Sequence, residues 1–147
     1  MLRGSYTATI DDKGRVKIPA AFKRHLEQSY GTPDYYVTSL DGEYVRVYPI
    51  AEWEKIEAKL SQLPSMDTAR RKFLDRTNYY GQVQTLDSAG RILVPTGLRA
   101  SAELAGEVQV FGYLTYLDIW SAERFRSQRL GAAFTDEDAE ALARLGI

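Results

Sequence analysis

The stretch DDKGRVKIP at residues 11–19 returns in closely similar form as DSAGRILVP at residues 87–95, 76 positions later. Both copies place an aspartate, a glycine, an arginine and a proline at the same positions, with apolar residues between them. The shared residues pair as Asp11 with Asp87, Gly14 with Gly90, Arg15 with Arg91 and Pro19 with Pro95. A phrase this specific, repeated within 147 residues, indicates an internal duplication.

The residues around each copy have the pattern of a β-hairpin. SYTATI (5–10) alternates in polarity, DDKG is typical of a turn, and RVKIP predicts the returning strand. In the second copy GQVQTL (81–86), DSAG and RILVP repeat that order. A helix is predicted at 20–30 after the first copy, ended by GTPD at 31–34, and a shorter one at 96–104 after the second.

The duplication extends beyond the repeated phrase. A second hairpin is predicted from YYVTSL and YVRVYP around Asp41-Gly42, and its counterpart from EVQVFGYL and YLDIWS. Helices follow at 50–63 and 67–80 in the first half and at 121–130 in the second. The predicted order of elements in each half is therefore hairpin, helix, hairpin, helix.

Apolar spacings of three and four predict which helix faces are buried. The predicted face of 50–63 is Ile50, Trp53, Ile56, Leu60 and Leu63, and that of 67–80 is Ala69, Phe73, Thr77 and Tyr80. In the second half Trp120 stands at the place of Tyr48, and Phe125 at that of Trp53. A last helix is predicted in the tail, with Thr135 as its N-cap and Asp138 three residues on.

Neither half has enough apolar residues to close a core alone, and an isolated hairpin is marginal in water. We divide the chain into a first half (1–76), a second half (77–130) and a helical tail (131–147), and expect both halves to form one integrated domain. The predicted fold class is α+β, mostly β. It is a barrel-like body made from two halves that interleave their hairpins around a pseudo-two-fold axis, with flanking helices.

Composition argues against several classes of function. The chain has no cysteine and one histidine, His25, which leaves little for a thiolate metal site or a histidine relay. It contains no apolar run of 18 residues, and its first residues lack the apolar core of a signal peptide. We therefore expect a cytoplasmic protein that needs no cofactor. No nucleophile–base pair or phosphate loop indicates an enzyme.

A formal net charge of −1 argues against nucleic-acid binding at first sight, but the charge is unevenly distributed. Residues 1–30 carry a net charge of +3 and residues 67–91 of +2, whereas residues 31–66 carry −3. The two positive blocks contain the two copies of the phrase.

The repeated phrase itself allows two interpretations. In the structural one, the aspartate and the glycine shape a bulged turn, and the arginine pairs back onto the aspartate. In the functional one, Val16 and Ile18 point inward, so that Arg15 and Lys17 point outward and Lys13 lies on the turn. Arginine suits the edge of guanine, and a β-ribbon fits the DNA major groove.

The two phrases resemble those of the MraZ family, in which D-x-x-x-R occurs twice within D-x-x-G-R-[VIL]-x-[IV]-P. The likeness extends to MLRGSYTATID, to YP-IAEWEKIEAKLSQLPSMD and to FGYLTYLDIW, and covers nearly everything up to residue 130. The family in turn resembles the SpoVT–AbrB group of swapped-hairpin DNA-binding proteins, here with both halves in one chain.

This resemblance implies a transcriptional regulator of a division and cell-wall gene cluster. It also implies association with the nucleoid, assembly into a homo-oligomeric ring, and binding to short direct repeats in double-stranded DNA upstream of its own operon. No enzymatic activity, membrane or small-molecule substrate is expected. The residues we expect to contact DNA or to shape that contact are Arg15, Arg91, Lys13, Lys17, Asp11, Gly14, Asp87, Gly90 and Arg3.

Three questions stay open at the level of sequence. Lys13 is matched by Ala89 and Lys17 by Leu93, so either the first copy dominates DNA contact or a neighbouring subunit covers Leu93. A second possibility for the whole chain is an antitoxin-like module whose tail binds another protein. A third is a structural ring-forming protein in which the D-x-x-x-R turns are protein contacts.

Overall fold

The computed structural model describes residues 1–31 and 33–147. The strands are β1 Ser5–Ile10, β2 Arg15–Lys17, β3 Tyr35–Thr38, β4 Val45–Pro49, β5 Gln82–Gln84, β6 Arg91–Leu93, β7 Gly106–Tyr113 and β8 Tyr116–Ser121. The helices are α1 Ala20–Tyr30, α2 Ile50–Leu60, α3 Thr68–Tyr79, α4 Thr96–Ser101, α5 Ala122–Arg124 and α6 Asp136–Ala143. A π-helical turn, Phe125–Arg129, continues α5. The order of elements predicted for both halves is confirmed.

The eight strands form one antiparallel, nearly closed sheet in the order β5-β3-β4-β8-β7-β1-β2-β6. β1 of the first half pairs with β7 of the second, from Ser5 opposite Phe111 to Ile10 opposite Gly106. By the same pseudo-symmetry, β3 of the first half pairs with β5 of the second. The hairpins of the two halves are therefore interleaved, which confirms the predicted swapped-hairpin barrel of α+β, mostly β, class.

The strand register locates the pseudo-two-fold axis. Val16 of β2 lies opposite Ile92 of β6, and these two residues are equivalent in the repeated phrase. Arg46 of β4 lies opposite Asp118 of β8, which are equivalent in the second hairpins. The axis therefore passes through both pairs.

The pair on the axis at the β4–β8 seam is no longer symmetric. Arg46 Nε and Nη2 donate to the two carboxylate oxygens of Asp118 at 2.8 and 3.1 Å. The guanidinium also lies 4.3 Å from the centre of the Tyr116 ring, within the range of a cation–π contact. Burial raises the pKa of Asp118, and the charge of Arg46 offsets part of that rise.

Alternating apolar residues of the strands form the core. Val16 and Ile18 are buried as predicted, and so are their equivalents Ile92 and Val94. Helices α1 and α4 cover this layer with apolar side chains. The buried helix residues that contribute to it are Phe22, Leu26 and Leu98. Each such side chain contributes roughly 1.5–3 kcal/mol to folding by leaving water.

The aromatic residues expected to be equivalent do pack alike. The rings of Tyr48 and Trp53 lie 5.1 Å apart, and those of Trp120 and Phe125 lie 5.5 Å apart. In each half, one large ring at the end of a strand thus meets another on the helix that follows.

Helix α2 is shorter than the predicted 50–63. It ends at Leu60, after which Leu63 N donates to Leu60 O in a tighter turn and the Leu63 side chain is exposed. The cause is Pro64, which disfavours helical geometry in the residue before it. On α3 the predicted apolar face is wrong at Ala69, which is exposed, whereas Thr77 is buried.

The second half also departs from the predicted elements. The helix expected at 121–130 changes at Phe125 into a π-helical turn, in which Leu130 N donates to Phe125 O at 3.0 Å. β5 covers only part of 81–86, and no pairing of β5 with β6 is found in the described part of the chain. The two segments still meet at the turn, where Asp87 N donates to Arg91 O at 3.0 Å, as Asp11 N does to Arg15 O in the first copy.

The ends of two helices follow the predicted chemistry. α1 ends at Tyr30 and is capped by Gly31, whose φ of 75° is left-handed. Thr32, within the predicted break at 31–34, lies outside the described residues. Thr135 and Asp138 form the predicted capping box at the start of α6, a helix with no buried residue.

Candidate nucleic-acid interface

One carboxylate closes the first D-x-x-x-R turn. Asp11 Oδ1 accepts hydrogen bonds from the backbone N–H groups of Lys13 at 3.0 Å and Arg15 at 2.9 Å. Its Oδ2 accepts a hydrogen bond from Arg15 Nε at 2.7 Å. Backbone hydrogen bonds from Asp11 N to Arg15 O and from Gly14 N to Asp11 O complete the turn. A single side chain thus fixes both the backbone and the direction of the guanidinium.

The second turn has the same geometry. Asp87 Oδ1 accepts hydrogen bonds from Ala89 N and Arg91 N, each at 2.9 Å. Its Oδ2 accepts from Arg91 Nε at 2.8 Å, and Gly90 N donates to Asp87 O at 2.9 Å. The predicted pairing of aspartate with arginine is therefore confirmed in both copies, and the two arginines are held in the same way.

The glycines join the two turns to each other. Gly14 and Gly90 have φ of 87° and 77°, which residues with a Cβ rarely adopt. Gly14 O accepts from Val94 N at 2.8 Å, and Gly90 O accepts from Ile18 N at 3.0 Å. Each turn is thus hydrogen-bonded to the returning strand of the other half, so that the two turns form one rigid unit.

The outward face of β2 and β6 brings most of the predicted cations together. Arg15 lies opposite Leu93, and Lys17 lies opposite Arg91. Opposite residues of an antiparallel pair have Cβ atoms about 5 Å apart on the same face. The two lysines of the first copy therefore lie near different turns. Lys13 belongs to the first turn, whereas Lys17 stands beside the arginine of the second.

Two further cations, which the sequence argument missed, approach the turns from the helices of the opposite half. Arg99 of α4 donates through Nη1 to the carbonyl of Asp12 in the first turn at 3.0 Å. Its equivalent in α1, Lys23, lies close to the second turn, where a methyl group placed on Gly90 would be 3.3 Å from Lys23 Cδ. Their signal in the sequence is that two basic residues recur 76 positions apart.

The aspartates of the turns stay ionised in acid. Hydrogen bonds from the backbone and side chain of Arg15 and from the backbone of Lys13 lower the pKa of Asp11 to about 2. Equivalent hydrogen bonds, first of all from Arg91, lower the pKa of Asp87. In addition, Arg91 Nη1 lies 3.8 Å from Asp11 Oδ2. The carboxylates thus orient the guanidinium groups over a wide range of pH.

Arg3 is not brought together with the other predicted site residues. It precedes β1, whereas the turn at Asp11 follows that strand. Six residues at about 3.3 Å each separate the two ends by roughly 20 Å. Gly112 N donates to Gly4 O beside it, so this end of β1 joins the β7–β8 hairpin.

Three further basic or titratable side chains contact residues outside the two turns. On α3, Arg70 Nη1 donates to Leu63 O at 2.7 Å and Arg76 Nη1 to Leu40 O at 3.4 Å, both away from the turns. His25 lies 3.4 Å from Ser29 Oγ, one helical turn further on. In the residues that the structure describes, no group of His, Cys, Asp and Glu could hold a metal ion. No helix in residues 1–31 or 33–147 combines the length and apolarity needed to cross a bilayer.

This arrangement is chemically suited to an anionic ligand with acceptor groups at fixed positions. Each aspartate accepts a hydrogen bond from the Nε of its arginine, so this bond does not use the Nη groups, of which Arg91 Nη1 lies 3.8 Å from Asp11 Oδ2. A guanidinium held in this way can donate two parallel hydrogen bonds to one acceptor pair. The lysines add cations without fixed geometry.

Comparison with known proteins gives one family. The family model described as "MraZ protein, putative antitoxin-like" matches residues 1–76 and 81–145. The chain is 46% identical over 147 residues to a protein of Acidobacterium capsulatum, with 100% of both chains covered. It is 48% identical, with the same coverage, to one of Koribacter versatilis, and 35% identical to one of Neisseria meningitidis over 97% of this chain and 93% of that one. All three relatives are named "Transcriptional regulator MraZ". The chain therefore belongs to the MraZ family.

Proposed function

We propose that this chain is a sequence-specific DNA-binding transcriptional regulator. It binds short direct repeats upstream of its own division and cell-wall operon, as a homo-oligomeric ring associated with the nucleoid in the cytoplasm. The observation that carries the proposal is the outward face of β2 and β6, where two aspartate-oriented arginines lie diagonally across the strand pair and Lys17 lies opposite Arg91. The names of the relatives agree with it.

In this mechanism the β2–β6 ribbon and its turns enter the major groove. Arg15 and Arg91 each donate two hydrogen bonds to O6 and N7 of a guanine, while Asp11 and Asp87 hold the guanidinium planes in place. Lys13 and Lys17 contact phosphates. A rigid pair of turns loses little conformational entropy on binding, so that more of the contact energy appears as affinity.

Assembly into a ring would compensate for the modest charge of one subunit. Several identical faces that bind tandem repeats at once raise the effective concentration of each further contact, by roughly 10²–10⁴-fold in affinity when the geometry permits. The formal charge of −1 per chain is then compatible with tight binding. Each phosphate contact still releases counterions, so that affinity should fall steeply with salt.

Fluorescence anisotropy with a duplex from the region upstream of the gene, beside a scrambled duplex of the same composition, tests the proposal. We expect tight, salt-sensitive binding to the upstream duplex alone, weakened at least about tenfold by Arg15→Ala. Equal and feeble binding to both duplexes, unchanged by Arg15→Ala, would contradict it.

The same variant separates this proposal from a structural ring in which the turns are subunit contacts. In our mechanism Arg15→Ala leaves the mass of the assembly unchanged, as measured by light scattering. A smaller mass together with an unchanged affinity per subunit would favour the structural ring.

A second candidate function is the binding of a protein partner by the tail, as in an antitoxin. The observations that favour it are the description of the family model and the exposure of Phe134, Leu145 and Ile147 at 71–82%. Deletion of residues 131–147 separates the two functions. A regulator that acts through its turns keeps its affinity for the upstream duplex when the tail is deleted. An antitoxin-like module no longer binds its protein partner, and adding that partner no longer changes its affinity for DNA.

A further inference from the structure

One apolar side chain stands among the cations of the ribbon. Ile92 and Val94 point into the core, so that Leu93 between them points outward, where 41% of it is exposed. It lies directly opposite Arg15, whose guanidinium Asp11 holds in place. An exposed leucine beside an oriented arginine offers apolar surface whose burial against an apolar group of a ligand would be favourable.

The equivalent position in the other half carries a different group. Lys17, which corresponds to Leu93 in the duplicated phrase, lies opposite Arg91. One end of the face therefore combines a guanidinium with an isobutyl group, and the other combines a guanidinium with an ammonium group. The backbone is pseudo-symmetric at this site, but its chemistry is not.

In the major groove the only apolar group on a base edge is the C5-methyl group of thymine. Resting on the DNA-binding function proposed above, we propose that Leu93 is a specificity-determining residue that contacts the methyl group of a thymine beside the guanine bound by Arg15. The other end of the face, with Lys17 beside Arg91, has no such preference. The protein thus distinguishes the two directions of its site, although its fold is close to two-fold symmetric.

Replacing single thymines by deoxyuridine tests this inference, because it removes one methyl group and leaves every hydrogen-bonding group in place. A set of upstream duplexes, each with one such replacement, is titrated with wild type and with Leu93→Ala by fluorescence anisotropy. We expect one thymine in each bound site at which the replacement weakens wild-type binding by roughly fourfold, the value of one buried methyl group. Leu93→Ala binds the unmodified duplex more weakly by a similar factor and no longer responds to the replacement at that thymine.

Lys17→Ala is the matched control at the equivalent position. It should weaken binding to every duplex alike and reduce the slope of log affinity against log salt by about 1, while the response to deoxyuridine persists. Because Leu93 and Lys17 are both exposed, neither change should disturb folding, which thermal unfolding verifies.

The outcomes separate this inference from the function on which it rests. Tight preference for the upstream duplex with no response to deoxyuridine at any thymine would overturn the role of Leu93 and leave DNA binding intact. A reduced assembly mass for Leu93→Ala would also overturn it, since Leu93 would then lie between subunits. No preference of the wild type for the upstream duplex would overturn the proposed function itself.

Discussion

At the scale of single residues, the aspartate of each turn holds both the backbone of the turn and the guanidinium of its arginine in place. Asp11 accepts three hydrogen bonds within its own turn, and they hold its pKa at about 2. Because the folded pKa lies below the ordinary value of 3.8, ionised Asp11 stabilises the fold fully above that value. Its contribution is lost as the pH falls from about 4 through about 2.

Asp11→Asn should therefore lower the Tm at pH 7, and the difference from wild type should shrink as the pH falls from about 4 through about 2. Asp12→Asn is the control, because the Asp12 side chain makes none of the hydrogen bonds or ion pairs found in the described part of the chain. Thermal unfolding followed by circular dichroism at several pH values measures both. A Tm difference for Asp11→Asn that is constant from pH 7 to pH 2 would contradict the assigned role.

Two glycines give a matched pair of substitutions. Gly14→Ala should destabilise by about 1–2 kcal/mol, because its φ of 87° is left-handed and a Cβ there would lie 3.1 Å from Val94 O. Gly97→Ala, on the open side of α4, should instead stabilise by about 0.5–1 kcal/mol. Urea denaturation measures both changes. A Gly14→Ala variant as stable as wild type would show that the turn tolerates a side chain.

At the scale of elements, the local sequence pattern predicted the helices, turns and caps, but it could not predict contacts between residues that are distant in the chain. The bounds of α1, the hairpin at Asp41-Gly42 and the Thr135 cap follow from signals within a few residues. The contact of Arg99 with the turn at Asp12 spans 87 residues and leaves no local periodicity. The position of Lys17 beside Arg91 was equally out of reach, because it follows from the β2–β6 register. The shortened α2 reflects competition between the apolar pattern and Pro64.

The β4–β8 seam gives a prediction at this scale. Asp118→Ala should lower the free energy of unfolding by about 3 kcal/mol, because it leaves the Arg46 guanidinium without its partner. A quarter of the Arg46 side chain is exposed, so the loss should lie at the low end of the range for buried ion pairs. Exchanging the two, as Arg46→Asp with Asp118→Arg, should recover part of the loss. Urea denaturation of the single and double variants measures both. A loss below about 1 kcal/mol for Asp118→Ala would mean that the pair is dispensable.

At the scale of the whole molecule, the interleaved strands make each half depend on the other. β1 and β2 pair with β7 and β6, so that a chain of residues 1–76 alone would expose strand edges and apolar side chains. We expect fragments 1–76 and 77–147 each to lack a cooperative unfolding transition as monomers, and to regain it when mixed. Circular dichroism with size-exclusion chromatography measures this. A monomeric fragment that unfolds cooperatively by itself would contradict the single integrated domain.

The central claim is that the two turns form one DNA-binding face, and the affinities of Arg15→Ala and Arg91→Ala for the upstream duplex test it most directly. Because Asp11 and Asp87 hold both arginines alike, we predict that the two substitutions weaken binding by factors within about threefold of each other, each at least about tenfold. Arg126→Ala, which removes an exposed arginine from the π-helical turn, serves as the charge-matched control and should change affinity little. Equal, small losses for all three variants would contradict the claim, because binding would then depend only on net charge.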